Sequence, residues 1–221
     1  MPFRSAVGLL ASGGLDSCIL LGRLLTQGND VQPFYVRTGV TWEEAEMNGL
    51  RRFIERLGLP SGSRVRDLVL LSLPLDDLYA GHWSLTGQSV PGENTPDEAV
   101  GLPGRNALLT IKPAVWCQMH GLTQLALATL RSNPFPDATD EFFTTLQTAY
   151  RIGLDRKIEI LRPFEHLSKA EVMRLSDNYP LGDSFSCIAP VGLLHCGRCN
   201  KCAERKQAFR DANMHDTTIY A

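Results

Sequence analysis

An apolar run, Ala6-Val7-Gly8-Leu9-Leu10-Ala11, stops at Ser12-Gly13-Gly14-Leu15-Asp16-Ser17, and a second apolar stretch, Cys18 to Leu25, follows at once. The short run reads as a buried strand and the longer one as a helix. Two glycines at the junction permit a sharp turn and a close approach of backbone to a ligand. The helix start offers unpaired amides and the positive end of its dipole, which suits a phosphate. Ser12 and Ser17 add hydroxyl donors, and Asp16 can hold a metal ion, Mg2+, that screens phosphate charge. The segment is therefore expected to be a phosphate cradle made of Ser12, Gly13, Gly14, Leu15, Asp16 and Ser17.

Further strands are expected at Val31–Val36, Leu68–Leu73, Leu125–Ala128 and Ile158–Leu161. Helices are expected between them. Thr41-Trp-Glu-Glu44 has the form of a capping box opening a helix to about Leu57, and Ser168-Lys-Ala-Glu171 forms a second. A helix is expected from Ala107 to His120, ended early or kinked by Pro113, and another from Asp137 to Arg151. Alternation of this kind implies an α/β fold, a mostly parallel sheet with helices on both faces. Ligands in such sheets sit beyond the carboxyl ends of the strands. The stretch Tyr79–Gly104 is rich in Gly, Pro and polar residues without periodicity; it reads as a lid or as a plain connector.

At 221 residues the chain can bury a full core, and its formal charge of −2 carries no footprint for stable nucleic-acid binding. No secretory leader or membrane-spanning run is legible, so a cytoplasmic location is expected. Of six cysteines, Cys18 and Cys117 lie singly in apolar helical stretches, where a thiol acts as a small hydrophobe. Cys187, Cys196, Cys199 and Cys202 crowd near the C-terminus, with spacing x8, x2 and x2. Four thiolates satisfy a tetrahedral zinc with no open position, which marks a structural site. An iron–sulfur cluster, or a disulfide with reactive thiols, would use the same residues, and His195 adjoins the set. The expected organisation is a nucleotide-binding domain over 1–180 and a small helical zinc-binding subdomain over 181–221. Zinc would pin the helix around Ala203–Phe209, whose basic neighbours Arg198, Lys201, Arg205, Lys206 and Arg210 read as a solvated face.

Ser-Gly-Gly-x-Asp-Ser after a first strand resembles the PP-loop ATP pyrophosphatases, a Rossmann-like adenine nucleotide alpha hydrolase fold. Three further segments share the chain with it. Leu102-Pro-Gly-Arg-Asn106 carries a Pro-Gly-Arg-Asn motif, Pro163 to Glu171 contains Lys-Ala-Glu, and Ser186-Cys187 opens the cysteine set. In this order, over nearly the whole chain, they resemble the 7-cyano-7-deazaguanine synthase family, often called QueC. By their chemistry Arg105 offers a fork for a phosphate or carboxylate, Asn106 a hydrogen bond to ribose, base or phosphate. Lys169 is expected to stabilise departing pyrophosphate.

The resemblance implies ATP-dependent carbon–nitrogen ligation. The carboxylate of a deazapurine, 7-carboxy-7-deazaguanine, would be adenylated. Ammonia would form the amide, and a second activation would dehydrate it to the nitrile. It also implies a homodimer. Two segments depart from the family pattern: Arg37-Thr38-Gly39-Val40 stands where Tyr-Gly-Gln is usual, and Arg131-Ser-Asn-Pro-Phe-Pro136 lacks the usual Ser-Gly-Tyr. Other acceptors therefore stay open: another carboxylate, a protein terminus or a tRNA base undergoing thiolation. So does a nonenzymatic zinc and nucleic-acid-binding module.

Overall fold

The computed structural model describes residues 6–58, 64–154, 157–176 and 178–221. Strand β1 (Ala6–Leu10) runs into the Gly13-Gly14 turn and helix α1 (Leu15–Thr26). Strand β2 (Asp30–Arg37), helix α2 (Glu43–Arg56) and strands β3 (Arg64–Val65) and β4 (Val69–Ser72) follow. Next come a short helix α3 (Trp83–Thr86), α4 (Arg105–Met119), β5 (Gln124–Ala126), α5 (Asp140–Gly153), β6 (Glu159–Leu161), α6 (Lys169–Arg174) and α7 (Asn200–Ala212). All pairings between these strands are parallel, in the order β3-β2-β1-β5-β6, with β4 pairing β2 beyond β3. The α/β expectation holds.

Side-chain alternation along β1 sets the two layers. Val7 and Leu9 face a core with Ile19 and Leu20 of α1, Leu50 of α2, Val172 of α6 and Phe209 of α7. Gly8 points to the opposite face, where Phe34, Ala114, Cys117, Leu125, Phe143 and Tyr150 form a second core under α4 and α5. A Cβ at Gly8 would lie 2.8 Å from Cys117 Sγ, so glycine lets α4 pack close to the central strand. Each large apolar side chain buried here contributes about 1.5–3 kcal/mol. The order reverses at β1, between β2 and β5, and the cradle lies at that switch.

Local expectations fared unevenly. The box at Ser168 forms in full, with Ser168 Oγ accepting from Glu171 N and the Glu171 carboxylate accepting from Ser168 N. The box at Thr41 does not form. Trp42 is the N-cap of α2, without a side-chain hydrogen bond. The Glu44 carboxylate of the expected box accepts instead from Arg37 Nη2 (2.9 Å), while Glu43 accepts from Thr38 N (2.8 Å), Gly39 N (3.1 Å) and Arg37 Nε (2.8 Å) and so closes the loop before its own helix. Pro113 does not end α4, which runs through it to Met119, held by Ala114 and Cys117 packed in the second core.

The 79–104 stretch is a fixed strap. Asn200 N donates to Pro91 O (2.9 Å), Glu93 N to Arg198 O (3.0 Å) and Asn200 Nδ2 to Thr95 O (2.8 Å). Trp83 stacks on Trp42 at 5.6 Å. These bonds tie the strap to the cysteine-bearing segment and to the start of α2.

Candidate active site and metal centre

Gly13 has φ +82, and a Cβ there would lie 2.8 Å from the Glu46 carbonyl oxygen. Only a residue without a side chain fits both conditions. Gly14 is the N-cap of α1 and has no side-chain cap, so the first-turn amides stay available to a ligand. Ser17 Oγ donates to Gly14 O at 3.1 Å and lies 3.2 Å from Ser12 Oγ, which accepts from Gly14 N at 3.3 Å. Leu15 contributes only backbone, because its side chain is buried in the core.

Above the turn lies a cleft with two lobes. The larger, about 300 Å3, has apolar walls from Leu10, Val36, Leu109, Leu127 and Phe135. The smaller, about 160 Å3, is the polar lobe by virtue of its charged side chains Lys169, Glu204 and Arg205, with Ser186, and Trp42, Phe185 and Ile188 line it too. Ser12, Gly14, Asp16, Glu46, Arg105 and Lys201 line both.

Asp16 and Lys169 meet in the polar lobe. Lys169 Nζ lies 2.7 Å from Asp16 Oδ2 and 3.1 Å from Glu204 Oε1, and Lys201 Nζ is 2.5 Å from Glu204 Oε2. Burial would lower the Lys169 pKa, but Asp16 and Glu204 outweigh it and hold it above the ordinary lysine value. Burial opposes ionisation of Glu204 too, yet Lys169 and Lys201 draw it down to about 2. The other carboxylate oxygen, Asp16 Oδ1, is buried without a hydrogen-bond partner. An unpaired carboxylate oxygen is the type of hard donor that suits Mg2+, and this one lies beside the double-glycine turn.

Arg105, the first residue of α4, makes no contact ion pair among the described residues and lines both lobes. Its neighbour is committed elsewhere. Asn106 N donates to Asp137 Oδ2 (2.7 Å) and Asn106 Nδ2 to Asp137 O (2.9 Å). Asn106 lines the larger lobe, but its side-chain amide is spent on holding α4 against Asp137, a second job beside the nucleotide contact expected of it.

Sequence reasoning missed Tyr35, Glu46, Lys201, Glu204 and Arg205 as cleft residues. Tyr35, on β2, donates to Glu46 Oε2 at 2.6 Å. Burial raises the Glu46 carboxyl to about 7, with Arg105 and Tyr35 pulling it down and Glu43 pushing it up. Lys201 and Glu204 come from α7. The basic residues of that helix are only in part a solvated face: Arg210 is exposed, but Lys201 reaches the cleft and Arg205 is 1% exposed. Arg205 donates to Leu181 O (2.6 Å), Ser184 Oγ (3.0 Å), Ser186 Oγ (3.2 Å) and Thr218 Oγ1 (2.7 Å). Helical spacing was the available signal, since Lys201, Arg205, Ala208 and Ala212 share one face.

The Sγ atoms of Cys187, Cys196, Cys199 and Cys202 lie within 4.8 Å of one another. Cys187 to Cys199 is 3.8 Å and Cys196 to Cys202 is 4.0 Å. Zn–S bonds of about 2.3 Å in a tetrahedron place sulfurs about 3.8 Å apart, so the cluster fits zinc. Ala189 N and Cys196 N donate to Cys187 Sγ, and Cys199 N to Cys196 Sγ, each at 3.3 Å, contacts that favour thiolates. His195 lies outside the set. Its Nε2 accepts from Ser186 N at 3.1 Å, and burial lowers it to about 3, so the ring is neutral. Burial pushes the Cys117 thiol up to about 12 and raises Cys18 as well, which leaves neither poised as a thiolate.

The family described as "Queuosine biosynthesis protein QueC" matches residues 5–213. The chain belongs to the QueC family. Among curated QueC-like relatives, the 7-cyano-7-deazaguanine synthase of Saccharolobus solfataricus is 28% identical over 96% of this chain and 47% of its own length. That of Chlorobium phaeobacteroides is 26% identical over 96% of this chain and 95% of its own, and that of Novosphingobium aromaticivorans 28% over 96% and 93%. This QueC-family chain thus spans about half of the first relative and nearly all of the other two. Among the described residues no helix is long and apolar enough to cross a membrane.

Proposed function

We propose that this chain is an ATP-dependent carbon–nitrogen ligase that converts 7-carboxy-7-deazaguanine and ammonia to 7-cyano-7-deazaguanine through an adenylated carboxylate. The reading is carried by the two-lobed cleft: a phosphate cradle faces a polar lobe with Lys169, and an apolar lobe adjoins both. The names of the QueC relatives support the acceptor.

In this reading the planar bases occupy the apolar lobe, and the polyphosphate lies over the first-turn amides of α1. Lys169 stabilises the pyrophosphate as it leaves, and Arg105 holds the carboxylate or α-phosphate at the junction. These contacts position the reactants and stabilise developing charge, so no covalent protein nucleophile is required. Mg2+ bound at Asp16 Oδ1 would screen the charge of the polyphosphate. Zn2+ in the four-cysteine cluster would be structural, fixing residues 181–221 as a subdomain against 1–180. Cytoplasmic location, ammonia from solution or from a partner, and a homodimer belong to the same proposal.

A second reading concerns the acceptor alone. Thr38, Val40, Asn133 and Phe135, from the two segments that depart from the family pattern, all line the larger lobe. Another carboxylic acid would be selected there with the same ATP chemistry. Release of AMP and pyrophosphate is the measurement, with 7-carboxy-7-deazaguanine and ammonia each omitted in turn and the acceptor identified by mass spectrometry. Release that depends on both supports the ligase; release only with a different acid supports the second reading.

A further inference from the structure

One buried acid in the cleft has no role in the reaction so far. Glu46 sits on α2, with its carboxylate held by the Tyr35 hydroxyl at 2.6 Å and no contact ion pair among the described residues. It is among the six residues lining both lobes. If the acceptor occupies one lobe and the polyphosphate the other, the acyl phosphate that joins them lies at this junction. Three other ionisable side chains reach it. Asp16 is paired with Lys169, Lys201 is paired with Glu204, and Arg105 is a permanent cation. Glu46 alone of the six is an acid without a cation in contact.

We propose that Glu46 is the proton acceptor for the nitrogen nucleophile, and that Tyr35 is the positioning residue that fixes its carboxylate. The inference rests on the ligase reading and adds the step that reading lacks. Ammonia attacks the acyl carbon and forms the C–N bond. The bond from that carbon to the phosphate oxygen breaks, and AMP leaves with the electron pair. The nitrogen, now positively charged, transfers one proton to the Glu46 carboxylate, leaving a neutral amide. Glu46 then releases that proton to water. In the dehydration, the amide oxygen bonds to the α-phosphorus of a second ATP as pyrophosphate leaves, and the nitrogen gives up the first of its two protons to water. It loses the last to the same carboxylate as the carbon–oxygen bond breaks, AMP departs with the electron pair and the nitrile forms.

Its surroundings suit the task. A value of about 7 leaves the carboxylate ready to take a proton and to return it near neutral pH. The ionisable groups that act on it are Tyr35 from β2, Glu43 from α2, Arg105 from α4 and the neutral Cys18 thiol from α1, while Asp16 and Lys201 share its cleft.

The test separates the half-reactions. In Glu46→Gln, pyrophosphate exchange into ATP, dependent on the carboxylate, is expected within about threefold of wild type. Ammonia-dependent amide formation is expected to fall by about 100-fold or more. Retained amide formation overturns the proposal, and so does an equal loss in both half-reactions, which would make Glu46 a binding or structural residue. If wild type makes no AMP from the carboxylate and ammonia, the ligase reading fails and this step falls with it. Tyr35→Phe gives an independent readout should Glu46→Gln not fold. Loss of the hydroxyl donor raises the Glu46 pKa, so the acid limb of the ammonia-dependent step, at constant free ammonia, moves to higher pH while exchange does not. An unmoved limb overturns the proposal.

Discussion

Lys169 Nζ lies 2.7 Å from Asp16 Oδ2 and so joins the phosphate turn to the start of α6, 153 residues later in the chain. The same ammonium reaches Glu204 of α7 at 3.1 Å. One cation therefore fixes three helices around the polar lobe, and its removal leaves two carboxylates facing each other.

Lys169→Met is expected to lower AMP formation by about 100-fold, from lost stabilisation of the leaving pyrophosphate. The apo protein should lose roughly 1–2 kcal/mol, less than a fully buried pair would cost, because both partners are partly exposed. Steady-state kinetics and urea unfolding measure the two effects. An unchanged kcat would remove Lys169 from the reaction.

Glu204 makes stability depend on acid. Its folded pKa of about 2 lies below the ordinary glutamate value, so its contribution is complete above the ordinary value and is lost as pH falls toward 2. Lys169 has a raised pKa, and its contribution is complete below the ordinary lysine value and lost at more alkaline pH. Melting temperature of wild type and Glu204→Gln should differ most between those limits and converge in acid. Parallel curves would show that the network adds nothing to folding.

Glu46 has the opposite linkage. Its folded pKa, about 7, exceeds its unfolded value, so the fold binds its proton more tightly and loses stability as pH rises through 7. Glu46→Gln should therefore stabilise the apo protein at pH 8 by roughly 1–3 kcal/mol, and much less at pH 5. Thermal unfolding at the two pH values measures this.

Gly13→Ala combines a positive φ with a Cβ placed 2.8 Å from the Glu46 carbonyl oxygen, neither of which alanine accommodates. It should cost roughly 2–3 kcal/mol and weaken ATP binding by at least about tenfold. Calorimetric titration with ATP measures the second effect. Full affinity would mean that the turn does not cradle phosphate.

The metal centre is expected to hold one zinc per chain, read by elemental analysis. Cys199 is both a cluster thiol and the N-cap of α7. Cys199→Ser should therefore release the metal, lower the melting temperature and reduce ATP-dependent activity, because Lys201 and Glu204 ride on that helix. Metal loss with activity intact would separate the cluster from the site.

Much of this was legible in residue order because it is local. The strand, the double-glycine turn, the helix start and the cysteine spacing each lie within a few residues, and backbone sterics or ligand number dictate their geometry. The box at Ser168 is legible for the same reason. Thr41 misled because Trp42 is the N-cap and the Glu44 carboxylate pairs with Arg37 rather than turning back to the helix start. Nothing in a helical pattern distinguishes those partners.

The sequence by itself determined the parallel α/β class, the double-glycine turn at Ser12–Ser17 and the four-thiol cluster. Tertiary structure decided which side chains share the cleft. Tyr35 meets Glu46 across a strand and a helix, Asp137 holds Asn106 from 31 residues away, and Lys201 of α7 lines the cleft above the double-glycine turn. Such meetings depend on how helices pack against a twisted sheet. A buried acid, an ion pair and a solvated charge look alike until that packing sets their neighbours and their access to water.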